Sequence, residues 1–287
     1  MILLLVVLAA VAGCLVWWWG SRPPAHVPPP AVRQKIPARP PELPVQQPRS
    51  SVSGTRAMHQ QPRPQQAQRR GELAIIIDDM GTSMRELDRL TAIGIPMTFS
   101  IIPGLANDRA VAKAAVSRGY ETMLHLPMEP KGGRRLESNG LYVEMQGEEL
   151  EKRVRDYLKG LPQVAGANNH MGSLFTEKRQ QMQPVLRVLR EKGIFFVDSK
   201  TSPASVGETV AREMEIPTAS RDVFLDNVQE RGAILAQLEQ AVRLAARRGS
   251  AIAICHPHDA TIQALAEFLP RFREQGTVFV NASRLVK

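Results

Sequence analysis

Cysteine is nearly absent from this chain: two in 287 residues, Cys14 in an apolar leader and Cys255 in a later apolar run. These settings give no basis for a disulfide, so cysteine says nothing of the redox compartment. All three tryptophans, Trp17 to Trp19, fall within the first twenty residues, which leaves none for the remainder. A Gly-rich phosphate loop is missing, as is any cluster of carboxylates suited to two metals. Both absences weigh against phosphoester hydrolysis. Arg134, Arg135 and Arg221 could contact phosphate, but surface solvation explains them as easily.

The first twenty residues, MILLLVVLAAVAGCLVWWWG, lack charge altogether. As a helix they would rise about 30 Å, enough to cross a bilayer, with the tryptophans at the interface. "AVA" (10–12) resembles a signal-peptidase site and "VAGC" a lipoprotein acylation box. Either cut would leave LVWWW at the new N-terminus, and no basic region precedes the run. An uncleaved anchor is therefore the favoured reading, with a cleaved signal and a lipoprotein as the alternatives. Basic residues after the run argue for a cytoplasmic C-terminal side.

Residues 21–70 lack periodic apolar residues and are rich in Pro, Gln and Arg, the composition of a disordered tether. They hold nine basic residues and one acidic residue, Glu42. The rest of the chain has 28 basic against 27 acidic. Of the overall charge of +9, +8 thus belongs to the tether and +1 to the rest, and the high pI is no argument for nucleic-acid binding.

From residue 71 onward, short apolar runs alternate with longer amphipathic stretches. The runs are 73–77, 95–102, 120–124, 164–167, 194–197, 251–255 and 277–280. Helix-like segments such as RELDRLTAIG, EELEKRVRDYLKG and the stretch 233–249 lie between them, many ending in glycine. This alternation predicts one α/β domain over 71–287, a distorted or incomplete (β/α) barrel with about seven parallel strands.

Polar residues close these runs: Asp78 and Asp79, His125, Asp198, His256 and Asn281, with His170 shortly after the fourth. Parallel strands bring such residues to one rim, however far apart they lie in sequence. Of six histidines, His26 and His59 are in the tether. The other four, His125, His170, His256 and His258, follow predicted strands. Histidines with a carboxylate on loops suit a divalent transition metal, most naturally zinc, and a second carboxylate beside it could take a proton from water.

The segments IIIDDMG, PMTFSIIPG, HLPME, VDSKTSP and AIAICHPH, in that order, resemble the motif series of nodulation-type polysaccharide deacetylases, and are closest to a divergent branch found in bacterial envelopes. The resemblance covers about residues 72–285. It implies a metal-dependent hydrolase that removes acetyl groups from a sugar polymer. Asp78 would then be the base, Asp79 and His125 metal ligands, His256 the general acid, and Asp198 the residue that orients it. Position 129 is Glu where the family motif has a second histidine. His170 is the inferred replacement and Glu129 the alternative, with Asn169 and His258 as further candidates. The implied partners are an envelope polysaccharide or peptidoglycan-like substrate and, through residues 1–20, an inner membrane, with the domain facing the periplasm. A non-catalytic glycan- or partner-binding protein on the same fold is the competing reading.

Overall fold

The structure, a computed structural model, describes residues 71–133, 136 and 139–287. The expected anchor and tether lie outside the described residues, as do Arg134 and Arg135. Among the described residues nine strands form one sheet: β1 Glu72–Met80, β2 Thr98–Ile101, β3 Glu121–Met128, β4 Gly166–Met171, β5 Phe195–Asp198, β6 Thr218–Ser220, β7 Val223–Phe224, β8 Ser250–Cys255 and β9 Val278–Val280. Every pairing is parallel. The order is β6-β5-β4-β3-β2-β1-β8-β7, with β9 against the first residues of β1.

Seven helices run between the strands: α1 Met84–Thr91, α2 Asp108–Ser117, α3 Gly147–Gly160, α4 Arg179–Glu191, α5 Gly207–Glu213, α6 Arg231–Arg248 and α7 Asp259–Glu274. The Ser83 hydroxyl caps α1 by accepting from the Glu86 amide, and Leu87 and Leu90 bury its inner face. Gly249, at φ 93°, ends α6 in the left-handed conformation that costs glycine least.

All seven expected runs are strands. The two further strands, β6 and β7, are three and two residues long, too short for a periodic signal. They sit at opposite ends of the strand order yet are joined by Arg221 and Asp222 alone. Two residues cannot span a flat sheet, so the sheet must curl until its edges nearly meet. The Arg221 amide donates to Asp198 O beside β5 and the Asp222 amide to Ile252 O on β8, both at 2.9 Å, which stitches the seam. This is the incomplete barrel.

Strand alternation divides the apolar residues into two layers. On β1, Leu73, Ile75 and Ile77 face the helices, in one cluster with Phe99, Leu124 and Phe196. Ala74 and Ile76 face inward with Met123, Val197, Ile252 and Ile254, and the C-terminal turn adds Ala282 and Leu285 to that inner cluster. Toward the strand C-termini the inward positions turn polar, and the site begins there.

Candidate metal and active site

The inward register that carries Ala74 and Ile76 next reaches Asp78, which is buried. Asp79 should then point to the helices. A register shift between Ile77 and Met80, with Asp79 at φ 57°, breaks the alternation. Aspartate tolerates this left-handed conformation better than most residues. The break brings both carboxylates to the same place.

His125 on β3 and His170 on β4 meet them. Asp79 Oδ1 lies 3.1 Å from His125 Nε2 and 2.8 Å from His170 Nδ1, and the two nitrogens are 3.3 Å apart. Neither contact has hydrogen-bond geometry, and Asp79 Oδ1 is a buried oxygen with no hydrogen-bond partner among the described residues. A tetrahedral ion with bonds of about 2.0–2.1 Å holds its donors roughly 3.3 Å apart. The triangle is close to that size, and its chemistry, two imidazoles and a carboxylate, suits zinc. Burial pushes the Asp79 carboxyl up, but the two imidazoles outweigh it and hold the group well below the usual carboxylate range.

Asp78 stands beside this triangle, its Oδ2 at 3.6 Å from His125 Nε2. Burial raises its pKa, only partly opposed by His125 and by the Asn168 amide that donates to Oδ1 at 2.8 Å. Burial pushes His125 down, but Asp78 and Asp79 more than restore it, so its pKa is raised. On the opposite wall, His256 follows β8 with Nε2 at 3.9 Å from Asp79 Oδ2. Its Nδ1 is 3.1 Å from Asp226 Oδ1, and its own amide donates to Asp226 Oδ2 at 2.7 Å. Burial lowers the imidazole pKa, but Asp226, aided by the charges of Asp79 and Asp78, raises it to about 9.

Residues 75–286 match the family model described as divergent polysaccharide deacetylase. The chain belongs to that family. Within it, the chain is 35% identical over 216 residues to the uncharacterized protein YibQ of Escherichia coli (strain K12), covering 75% of this chain and 67% of that one. It is likewise 35% identical over 194 residues to an uncharacterized protein of Haemophilus influenzae, covering 68% of this chain and 69% of the other. Among solved structures, the uncharacterized protein ATU2773 from Agrobacterium tumefaciens C58 has the same fold, at a TM-score of 0.70 and 24% identity over 78% of this chain and 92% of that one.

Set against the family motifs, one expected placement differs, that of Asp198. Asp198 does not reach His256. It shares a strand face with Phe196, which packs toward the helices, while Phe195 and Val197 point inward. Its oxygens accept from the Lys200 and Glu208 amides and the Ser205 hydroxyl, so it organises the turn leading into α5. The carboxylate in contact with His256 is that of Asp226. Glu129 is spent elsewhere as well: its carboxylate accepts from the Val143 amide at 2.8 Å, and the third donor in the triangle is His170. Asn169 lines the cleft but is turned to its neighbours, accepting from the Ser199 amide and donating to Met171 O. His258 gathers with Asp226 and His256 in a second group able to hold a cation, though Asp226 is already committed to His256 and the Thr261 hydroxyl.

The sequence reasoning missed Asp226 and Asn168. Asp226 follows the two-residue β7, and its one available cue was a lone aspartate after Val-Phe-Leu. Asn168 is the first of the Asn-Asn pair before His170 and sits directly opposite His125 in register. Above all these groups opens a cleft of about 740 Å³, walled by Thr201, Arg221, Phe224, Asn227, Gln237 and Gln240 among others. Among the described residues Phe224 is its one aromatic besides the histidines, and its ring is covered by the Arg221 guanidinium at 5.2 Å.

Proposed function

We propose that this chain is a metal-dependent hydrolase that removes acetyl groups, as amide or ester, from a polysaccharide of the bacterial envelope. The observation that carries the reading is the orphaned Asp79 Oδ1, held against two imidazole nitrogens, with Asp78 on one side and the His256–Asp226 pair on the other. A carboxylate oxygen facing two nitrogen lone pairs is repulsive unless a proton or a cation lies between them. Zinc fits the donor set.

Asp79, His125 and His170 would hold the ion, which supplies Lewis acidity toward a carbonyl oxygen and toward water. The protein groups divide the proton traffic. Asp78, raised by burial, is a stronger base than an exposed aspartate and accepts the proton of the attacking water as its oxygen bonds to the acetyl carbon. His256, raised to about 9, carries its proton at neutral pH. It gives that proton to the sugar nitrogen or oxygen as the bond to the acetyl carbon breaks, and the products are acetate and a free amine or hydroxyl. Asp226 fixes the ring so that Nε2 faces the cleft. The walls around it, with Asn227, Gln237 and Gln240, offer hydrogen bonds rather than stacking surfaces to a polar chain.

The charge-free segment 1–20 and the Pro-rich stretch after it support a place at the inner membrane with the domain on a tether, and the proposed polymer substrate, against the basic flank of the segment, argues for the periplasmic side. The test of the function is metal content on the full chain, followed by release of acetate from acetylated glycans. About one zinc per chain is expected, lost in Asp79→Ala and His170→Ala with the fold retained. A His170→Ala chain with full metal content would end the ligand assignment, and a zinc-loaded chain releasing no acetate from any glycan would end the hydrolase reading.

A further inference from the structure

Asn168 is fully buried at the centre of the site, and all four of its hydrogen-bonding positions are used. Its Oδ1 accepts from the Ser100 hydroxyl at 2.5 Å and lies 2.7 Å from His125 Nδ1; its Nδ2 donates to Asp78 Oδ1 at 2.8 Å and to Ser199 Oγ at 3.2 Å. The orientation of the amide follows from its partners. A carboxylate oxygen can only accept, so the nitrogen must face Asp78 and the oxygen must face His125.

Two consequences follow at once. His125 must carry its proton on Nδ1, which leaves the lone pair of the neutral ring on Nε2, the atom turned to Asp79 and His170. Asp78 has one oxygen tied down, so the other, Oδ2, is the one nearest His125 Nε2. A single amide thus sets the tautomer of one metal ligand and the aim of the base. Register makes this possible: Asn168 pairs with His125 across β3 and β4 on the inward face, whereas the neighbouring Asn169 looks the other way.

We propose that Asn168 is a positioning residue that couples metal affinity at His125 to the orientation of Asp78. This rests on the proposed hydrolase function, and it separates into two halves that substitution can pull apart. Asn168→Asp keeps an acceptor for His125 but loses the donor to Asp78. Asn168→Ala loses both. Ser100→Ala removes a bond to the same Oδ1 and leaves His125 and Asp78 served.

The experiment is zinc affinity by chelator competition on the full chain, with the visible spectrum of the cobalt-substituted protein as a second readout. Removing the outer partner of a ligating histidine weakens metal binding by about 10- to 100-fold. Asn168→Ala is expected to show that loss with an altered cobalt spectrum, while Asn168→Asp and Ser100→Ala stay within about threefold of the parent with its spectrum. Should Asn168→Ala not fold, Asn168→Leu fills nearly the same volume and makes the same test. In acetate release, Asn168→Asp is expected to lose turnover while keeping its zinc. Parent-like affinity in Asn168→Ala overturns the proposal, as does an equal loss in Ser100→Ala, which would mark a general packing effect. A parent chain that binds no zinc overturns the proposed function first and this inference with it, an outcome visible before any variant is compared.

Discussion

Asp226 and Asp198 show at the scale of single residues how much depends on the direction of a side chain. Both are buried aspartates, Asp198 the last residue of β5 and Asp226 two residues past β7, but only Asp226 touches His256. The raised pKa of that imidazole makes a prediction for the metal-free chain. Its folded value of about 9 lies above the ordinary value of 6.5, so protons bind the folded state more tightly than the unfolded one. The resulting stability is fully present below about pH 6.5 and is lost as the pH rises through 9; at roughly 1.4 kcal/mol per unit it is on the order of 3 kcal/mol. Denaturant unfolding of the chelator-treated chain at pH 6 and at pH 9.5 measures it. Asp226→Asn should flatten the difference, because the imidazolium loses its buried partner. Asp198→Asn should lower stability at both pH values and keep the slope. If Asp198→Asn flattened the profile instead, the pairing described above would be wrong. The sequence made Asp78, Asp79, His125, Asp198 and His256 visible because each closes or interrupts an apolar run. It could not rank Asp198 above or below Asp226, because the answer lies in strand parity. Phe195 and Val197 on either side of Phe196 gave no sign of which face was inward.

At the scale of elements, the long runs were legible and the short ones were not. A run such as LAIII or AIAIC announces a strand buried on both faces, whereas β6 and β7 have three and two residues and are held by the stitch at Arg221 and Asp222. The break in β1 was equally silent: nothing in IIIDDMG says that Asp79 takes φ 57° rather than continuing the strand. How the elements pack is set in part by what is missing from a side chain. At Gly71, just ahead of β1, a Cβ would lie 2.2 Å from the carbonyl carbon of Ala245 in α6, and the Glu72 amide beside it donates to Gly249 O at the end of that helix. Backbone cannot rotate out of the way as a side chain can. Gly71→Ala should therefore push α6 off the sheet and cost about 1–3 kcal/mol, the usual range for overpacking. Denaturant unfolding of the variant checks this, and stability equal to the parent would mean that α6 does not approach so closely.

At the scale of the whole domain, a curled sheet has two open ends, and this one treats them differently. The strand C-termini open into the cleft. The other end is filled by the chain's own last residues: Ala282 and Leu285 join the inner cluster with Val286 packed against it, and Lys287 exchanges backbone hydrogen bonds with Thr218 at the start of β6. The plug therefore ties a sheet edge to the interior at the point where the barrel fails to close. Deleting residues 285–287 would expose the inner cluster to water and free the edge of β6. Burying one large apolar side chain is worth about 1.5–3 kcal/mol, so the loss of Leu285 with part of Val286 should cost roughly 2–4 kcal/mol. For a domain of this size each 1 kcal/mol moves the melting temperature by about 2–4 °C, which gives a drop of roughly 4–16 °C. The site lies at the opposite ends of the strands, so zinc affinity in the folded truncated chain should stay within about threefold of the parent. Thermal unfolding beside a chelator competition separates the two effects. A truncated chain melting with the parent would mean that the last three residues do not plug the sheet. One that melts lower and also loses zinc would mean that the two ends of the barrel are coupled through the strands between them.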